Sequence, residues 1–199
     1  STAIERYLQF LQSEENKSSL TVSNYRQSLA LLQELMSVTK VTDIDKDTIR
    51  DYKQKLHTYK TKQGGELLLR TRNHHLTVLR AFLRYLSAEA EIDVYPPDRV
   101  KRFKEEQREV KVLTHEELQR LLNAPNIEDR VGKRDKAILQ MFFSTGLRLA
   151  ELRSLNRKDL NFKTREISVR GKRSKIRVVF LSDEAVAALE DYLTTRLDH

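Results

Sequence analysis

Apolar residues recur at intervals of three and four through the first ninety residues, which places them on one face of successive α-helices. This pattern predicts four amphipathic helices. Their apolar faces comprise Ile4, Tyr7, Leu8 and Leu11; Leu20, Tyr25, Leu29, Leu32 and Leu35; Ile49, Tyr52, Leu56 and Tyr59; and His75, Val78, Leu79, Phe82, Leu83 and Leu86. Residues 1–90 are therefore predicted to form a compact helical domain.

The pattern changes between Asp93 and Val110, where two adjacent prolines and alternating charges replace the apolar stripe. This composition is typical of an extended linker, so we place the linker at 91–111 and a second domain at 112–199. The second domain begins with a helix whose Thr114 and Glu117 have the spacing of a capping box.

A very apolar helix is predicted over 134–144, followed by a break at Gly146 and a short helix. β-Branched residues then predict two strands, 166–170 and 176–181, which are joined by a basic turn. A last helix begins after Ser182, with acidic residues in its first turn. The fold class is therefore mainly α, with a small β-hairpin or sheet.

The chain has 199 residues and no cysteine, which excludes a disulfide scaffold, a thiol nucleophile and a thiolate metal site. Its apolar runs are far shorter than the roughly 20 residues of a membrane span, and no signal-peptide pattern begins the chain. We therefore expect a cytoplasmic protein that is not associated with a membrane.

The formal net charge is +8, and the positive charge is concentrated in two stretches. Nine Lys or Arg accompany two acidic residues over 50–84, and fifteen accompany four over 130–177. Two basic surfaces favour a polyanion, DNA or RNA, held from two sides, although Lys and Arg also serve to solvate helix faces. The candidate nucleic-acid contacts are Arg70, Arg72, His74, Arg80, Arg153, Arg173, Lys175 and Arg177.

Two segments suit phosphate chemistry, T-G-L-R-L-A-E-L over 145–152 and G-K-R-S-K-I-R over 171–177. In the first, Arg148 follows the end of an apolar helix, and Glu151 lies one helical turn further on. We expect this guanidinium to be poorly solvated and held in place, with its planar fork suited to two oxygens of one phosphate. The alternative is a weak surface ion pair between Arg148 and Glu151.

These motifs resemble those of the tyrosine recombinases of the phage-integrase and Xer type. T-G-L-R-L-A-E-L-R-S-L is similar to the family's first catalytic arginine motif, and G-K-R-S-K-I-R-V-V-F-L to its catalytic lysine hairpin. L-T-H-E-E-L-Q-R-L-L resembles the opening of the catalytic domain, while L-T-V-S-N-Y-R and H-L-T-V-L-R-A-F-L-R-Y-L resemble the core-binding domain. The resemblance covers nearly the whole chain and implies a four-helix SAM-like core-binding domain followed by the N-terminal part of an α+β catalytic domain.

The resemblance implies site-specific recombination or integration of duplex DNA, without a metal or cofactor, by a nucleoid-associated protein that forms tetramers on DNA. A tyrosine would attack the scissile phosphate, form a 3′-phosphotyrosyl link and free a 5′-hydroxyl. On the matching positions Arg148 would clamp the phosphate, Lys172 would be the general acid and Glu151 would orient the site. An ammonium on a mobile stem suits proton delivery, and Lys175 remains an alternative donor.

The chain departs from the family after the hairpin. The family continues with a His-x-x-Arg motif, a further His or Trp and the tyrosine nucleophile, whereas only 27 residues follow Lys172 and no His-x-x-Arg occurs. Tyr192 lies in an apolar helical stripe and is interpreted as a core residue. We therefore expect a recombinase truncated before its nucleophile, with the 199-residue chain itself inactive in cleavage.

Three alternatives remain at this point. The chain could be a naturally short, non-cleaving DNA-binding paralogue, which the length of the parent gene would distinguish. It could be a helical nucleic-acid-binding scaffold whose motif matches are accidental, against which the joint presence of Arg148, Glu151 and Lys172 argues. Type IB topoisomerases share the catalytic logic, but the helical N-terminal half favours a recombinase.

Overall fold

A computed structural model describes residues 2–36, 40–105, 111–171 and 175–196. Within these ranges the chain forms eight α-helices, three short 3-10 helices and one two-stranded antiparallel sheet, so the mainly helical fold class is confirmed. The chain divides into two compact units, Ser1–Arg108 and Glu109–His199. None of the helices in the described ranges is long and apolar enough to cross a membrane.

The first unit contains the four predicted helices, which are α1 Ala3–Ser13, α2 Ser19–Leu35, α3 Lys46–Thr58 and α4 Leu69–Ala88. Short polar side chains begin three of them by accepting backbone N–H groups: Thr2 for α1, Ser18 for α2 and Asp45 for α3. Their apolar faces meet in one core, in which Tyr52, Leu56, Leu76, Leu83 and Leu86 have no exposed surface. Leu20, which the pattern places on the apolar face, is instead 71% exposed in the first turn of α2.

Residues 91–105, part of the predicted linker, lie against the first unit. Val100 is fully buried in its core, and Ile92, Val94, Tyr95 and Phe103 pack against that core. Asn73 of α4 holds the segment: its Nδ2 donates to the Phe103 carbonyl at 3.0 Å, and its Oδ1 accepts from the Phe103 N–H at 2.7 Å. This amide supplies the partners that backbone groups away from water require. The domain boundaries drawn from the sequence stay a prediction.

We expect Asn73→Ala to lower the free energy of unfolding by about 2–4 kcal/mol, because it removes the two hydrogen bonds to the Phe103 backbone and a third to the Glu105 carboxylate, and leaves the Phe103 backbone groups without those partners. Urea denaturation measures the change. Asn24→Ala, on the exposed face of α2, is the matched control and should alter stability by less than about 0.5 kcal/mol. Equal effects of the two substitutions would contradict the anchoring role of Asn73.

The second unit contains α5 His115–Asn123, α6 Arg130–Thr145, α7 Leu149–Ser154 and α8 Asp183–Thr195, together with β1 Glu166–Arg170 and β2 Ile176–Phe180. The predicted capping box of Thr114 and Glu117 is confirmed. The core lies between α6, α8 and the inner face of the hairpin, where Ile167, Val169 and Val179 are buried.

Helix α6 begins one turn before the predicted residue 134, because Asp129 caps it by accepting the Gly132 N–H at 2.7 Å. Gly132 also packs directly on the chain before the helix, since an added Cβ would lie only 1.6 Å from the carbonyl oxygen of Asn126. Only glycine fits this contact, so the extra turn depends on a residue that ordinarily disfavours helices.

Candidate active site

The turn between α6 and α7 presents Arg148 to solvent. Gly146 ends α6 in the left-handed conformation, with φ of 61°, and its N–H donates to the Phe142 carbonyl at 3.0 Å. Leu147 then points into the core, and Arg148 is the residue that precedes α7. The Arg148 side chain is 69% exposed, so the expectation of a poorly solvated guanidinium is wrong, although the group is held in place by Glu151.

Glu151 is buried in the first turn of α7 and accepts hydrogen bonds from two arginines. Its Oε1 accepts from Arg148 Nη1 at 3.0 Å and from Arg177 Nη1 at 2.9 Å. Its Oε2 accepts from the Arg148 backbone N–H and from Arg177 Nη2, both at 2.8 Å. The sequence analysis left open a simple ion pair between Arg148 and Glu151. That pair is present, but the Arg177 side chain and the Arg148 backbone N–H also bond to the carboxylate.

The protonation state of Glu151 follows from these bonds. Hydrogen bonds lower the pKa of Glu151 to about 2, with the largest contribution from the Arg177 side chain and the next from the Arg148 backbone N–H. The same carboxylate raises the pKa of Arg177. Glu151 is thus a permanent anion near neutral pH. It can orient the two guanidinium groups, but it does not exchange protons in the range where a general acid or base operates.

The base of the hairpin lies against this ion cluster. The Gly171 N–H donates to the Lys175 carbonyl at 2.8 Å and closes the hairpin. A Cβ added to Gly171 would lie 3.1 Å from Arg177 Nη1 and 3.4 Å from Glu151 Oε1, so glycine permits the close approach of the ion pair. Lys172, like Arg173, lies outside the described residues, and its predicted role stays a prediction.

Four of the predicted DNA contacts have exposed side chains, namely Arg70, His74, Arg153 and Lys175. Arg70 and His74 are four residues apart on α4 and therefore share one face of that helix. The His74 ring contacts Tyr25 of α2 edge-on, with 6.4 Å between ring centroids, so this face of α4 continues onto α2.

Three predicted contacts are engaged within the protein instead. Arg72 is only 12% exposed and lies 3.5 Å from Glu66, while Arg80 pairs with Asp98 at 3.2 Å. Arg177 is committed to Glu151, as described above. Intramolecular pairing leaves these side chains fewer free donors, and their assignment as DNA contacts stays a prediction.

A basic groove in the first unit was not identified from the sequence. It has a volume of about 730 Å³ and lies between α3 and residues 95–103. Its charged lining residues are Lys46, Arg50, Lys53, Asp98, Arg99 and Lys101. Its two sides are about fifty residues apart in the chain, so counting charges along a local stretch of sequence could not reveal the groove.

Among the residues that the structure describes, no group of three or more acidic or His side chains is arranged to hold a metal ion.

Comparison with known proteins gives two family matches. A model described as the phage integrase family matches residues 111–199, and one described as the phage integrase N-terminal SAM-like domain matches residues 4–90. The chain is similar to tyrosine recombinase XerC of Shewanella amazonensis, 34% identical over 193 residues, and of Oceanobacillus iheyensis, 31% identical over 190 residues. These alignments cover 97% and 96% of this chain but 63% and 61% of those proteins, so the chain spans less than two thirds of their length.

Solved structures share the fold. The Tn1549 transposon integrase in complex with transposon right end DNA has a TM-score of 0.73 and 20% identity, covering 100% of this chain and 66% of that one. A lambda integrase dimer bound to a COC′ core site has a TM-score of 0.67 and 16% identity, and the match covers 95% of this chain and 51% of the lambda integrase chain. At these identities the likeness establishes the arrangement of helices and strands.

Proposed function

The chain belongs to the phage integrase family of tyrosine recombinases, and we propose that it binds duplex DNA at a recombination site and supplies part of an active site for breaking and rejoining strands. One observation carries the proposal: a buried, ionised Glu151 holds the exposed guanidinium of Arg148 at the turn that begins α7. An exposed, oriented guanidinium is suited to binding two oxygens of one phosphate.

The proposed reaction divides the chemistry among a few side chains. The oxygen of a deprotonated tyrosine attacks the phosphorus, the bond to the 5′ oxygen breaks, and a 3′-phosphotyrosyl link forms. Arg148 stabilises the negative charge that develops on the non-bridging oxygens. The ammonium of Lys172, or of Lys175 as the alternative, gives its proton to the departing 5′ oxygen. No tyrosine of this chain is assigned as the nucleophile, because the chain contains no His-x-x-Arg motif.

The proposed DNA surface of the first unit is the joined face of α2 and α4. Arg70 and His74 are suited to phosphate contacts, and the exposed side chains of Ser23, Asn24 and Gln27 on α2 are suited to base edges or phosphates. In the second unit, Arg153 and Lys175 are the exposed candidates. A lambda integrase related in fold has been solved as a tetramer bound to a Holliday junction. By analogy, we propose that the complete protein also self-associates on DNA. We further propose that the complete protein is associated with the nucleoid.

We expect the 199-residue chain to bind duplex DNA with an affinity that falls steeply as salt increases. If about six phosphates are neutralised, the logarithm of the binding constant falls against the logarithm of salt concentration with a slope on the order of −5. Fluorescence anisotropy of a labelled duplex at several potassium chloride concentrations measures the slope.

Arg70→Ala should reduce the magnitude of that slope by about one. Lys17→Ala is the control, because Lys17 is paired with Glu15 at 3.2 Å outside the proposed surface. An affinity that does not change with salt would overturn the proposal. A non-cleaving paralogue shares this expected result and differs from a recombinase only in whether the complete protein forms a covalent adduct.

A further inference from the structure

We propose that Arg177 is a positioning residue that acts on Arg148 through Glu151, rather than a DNA contact. The inference rests on the proposed function of Arg148 as the phosphate-binding side chain. It assigns a role to a residue that lies 26 positions from Glu151 in sequence and on a different element, strand β2.

The hydrogen-bond geometry makes Arg177 the stronger partner of the carboxylate. Two nitrogens of Arg177 bond to the two oxygens of Glu151 at 2.9 and 2.8 Å, which is the bidentate arrangement that fixes the carboxylate plane. The Arg148 guanidinium bonds to the same carboxylate through one nitrogen at 3.0 Å. Arg177, together with the Arg148 backbone N–H that bonds to Oε2 at 2.8 Å, therefore fixes Glu151, and Glu151 in turn fixes the direction of the Arg148 guanidinium.

Exposure divides the roles of the two arginines. The Arg148 side chain is 69% exposed, against 38% for Arg177. In the described part of the chain, the Arg148 guanidinium makes no hydrogen bond other than the one to Glu151, so its remaining donors can reach an anion. Both distal nitrogens of Arg177 are already engaged with the carboxylate.

The charge of the cluster also requires the second arginine. A buried carboxylate paired with Arg148 alone would form a neutral pair, which attracts a phosphate weakly. Two guanidinium groups on one carboxylate leave one net positive charge, and the more exposed group presents it. Arg177 thus compensates Glu151 so that the charge of Arg148 remains available to DNA.

The same contact ties the hairpin to α7. Gly171 approaches the ion pair closely enough that a Cβ would crowd Arg177 Nη1, and its N–H closes the hairpin on the Lys175 carbonyl. Arg177 therefore links β2 to α7 through Glu151 and lies close to Gly171 at the end of β1.

The test is a double-mutant cycle between positions 148 and 177 in the 199-residue chain, with the affinity for a labelled duplex as the readout. Arg177→Gln should lower the affinity about tenfold in the native background and less than about twofold in an Arg148→Ala background, because its effect passes through Arg148. A direct phosphate contact would give the same loss in both backgrounds and would overturn the proposal.

Arg170→Gln is the matched control, since it removes an exposed arginine from the other strand of the same hairpin. Any loss of affinity it causes should be equal in the two backgrounds. Arg177→Lys keeps the charge but not the bidentate fork, so it should give an intermediate loss of DNA affinity. If circular dichroism shows that Arg177→Gln does not fold, Arg177→Lys replaces it in the double-mutant cycle.

A second readout follows Arg148 itself. The Nη–H signal of Arg148, whose Nη1 donates to Glu151, should be resolved in a nitrogen-15 NMR spectrum of the native chain and lost to faster rotation and exchange in Arg177→Gln, while backbone signals of β1 persist. Retention of that signal would contradict the positioning role. If Arg148→Ala alone leaves DNA affinity unchanged, the proposed function of Arg148 fails instead, which distinguishes the two failures.

Discussion

Arg148→Ala is expected to slow formation of the covalent protein–DNA adduct by about 10²- to 10³-fold in a protein extended to the length of its relatives. The loss is large because the guanidinium is held in advance by Glu151, with bonds of 3.0 Å to its side chain and 2.8 Å to its backbone N–H. Arg148→Lys keeps the charge without the planar fork and should recover only part of the rate.

Denaturing electrophoresis of labelled DNA under single-turnover conditions measures the adduct. Lys163→Ala is the control and should slow the reaction by less than about tenfold, since Lys163 is an exposed lysine to which no catalytic role is assigned and contributes at most general attraction for the backbone. Equal losses from the two substitutions would remove Arg148 as the phosphate clamp. The 199-residue chain alone should form no adduct, and an adduct from it would place the nucleophile within these residues.

Lys172→Ala is expected to slow cleavage of ordinary DNA by about 10²- to 10⁴-fold and to be rescued by a substrate with a 5′-bridging phosphorothioate. A thiolate leaves without receiving a proton, so a general acid is dispensable on that substrate. The same electrophoretic assay applies, with each variant compared on the two substrates.

Rescue should be specific to the proton donor. Arg148→Ala should stay slow on the phosphorothioate, because its role lies at the non-bridging oxygens, which are unchanged. Rescue of Lys175→Ala in place of Lys172→Ala would assign the acid to Lys175. If neither lysine variant is rescued, neither residue is the donor.

Local interactions explain why the helices could be predicted from the sequence. The apolar period of α1 to α4 and the capping box of Thr114 and Glu117 involve residues within one or two turns of each other, and apart from Leu20 they appear in the structure as predicted. The start of α6 was misplaced because the close contact of Gly132 with Asn126 permits an extra turn that composition disfavours.

Contacts between distant residues explain what could not be predicted. The charges and prolines of 91–105 indicated a linker, yet Asn73 bonds to Phe103 thirty residues away and Val100 enters the first core. Such contacts depend on how the chain returns on itself, which local composition does not encode.

The sequence by itself determined the family, the order of the elements and the positions of Arg148, Glu151 and Lys172 within their motifs. Only the tertiary structure brought Arg177 to Glu151, a contact that the sequence did not predict, since Arg177 was chosen as a candidate DNA contact because it is basic. The physical reason is the burial of Glu151: a carboxylate removed from water requires compensating charge and hydrogen bonds, and the fold brings Arg177 from β2 to supply them.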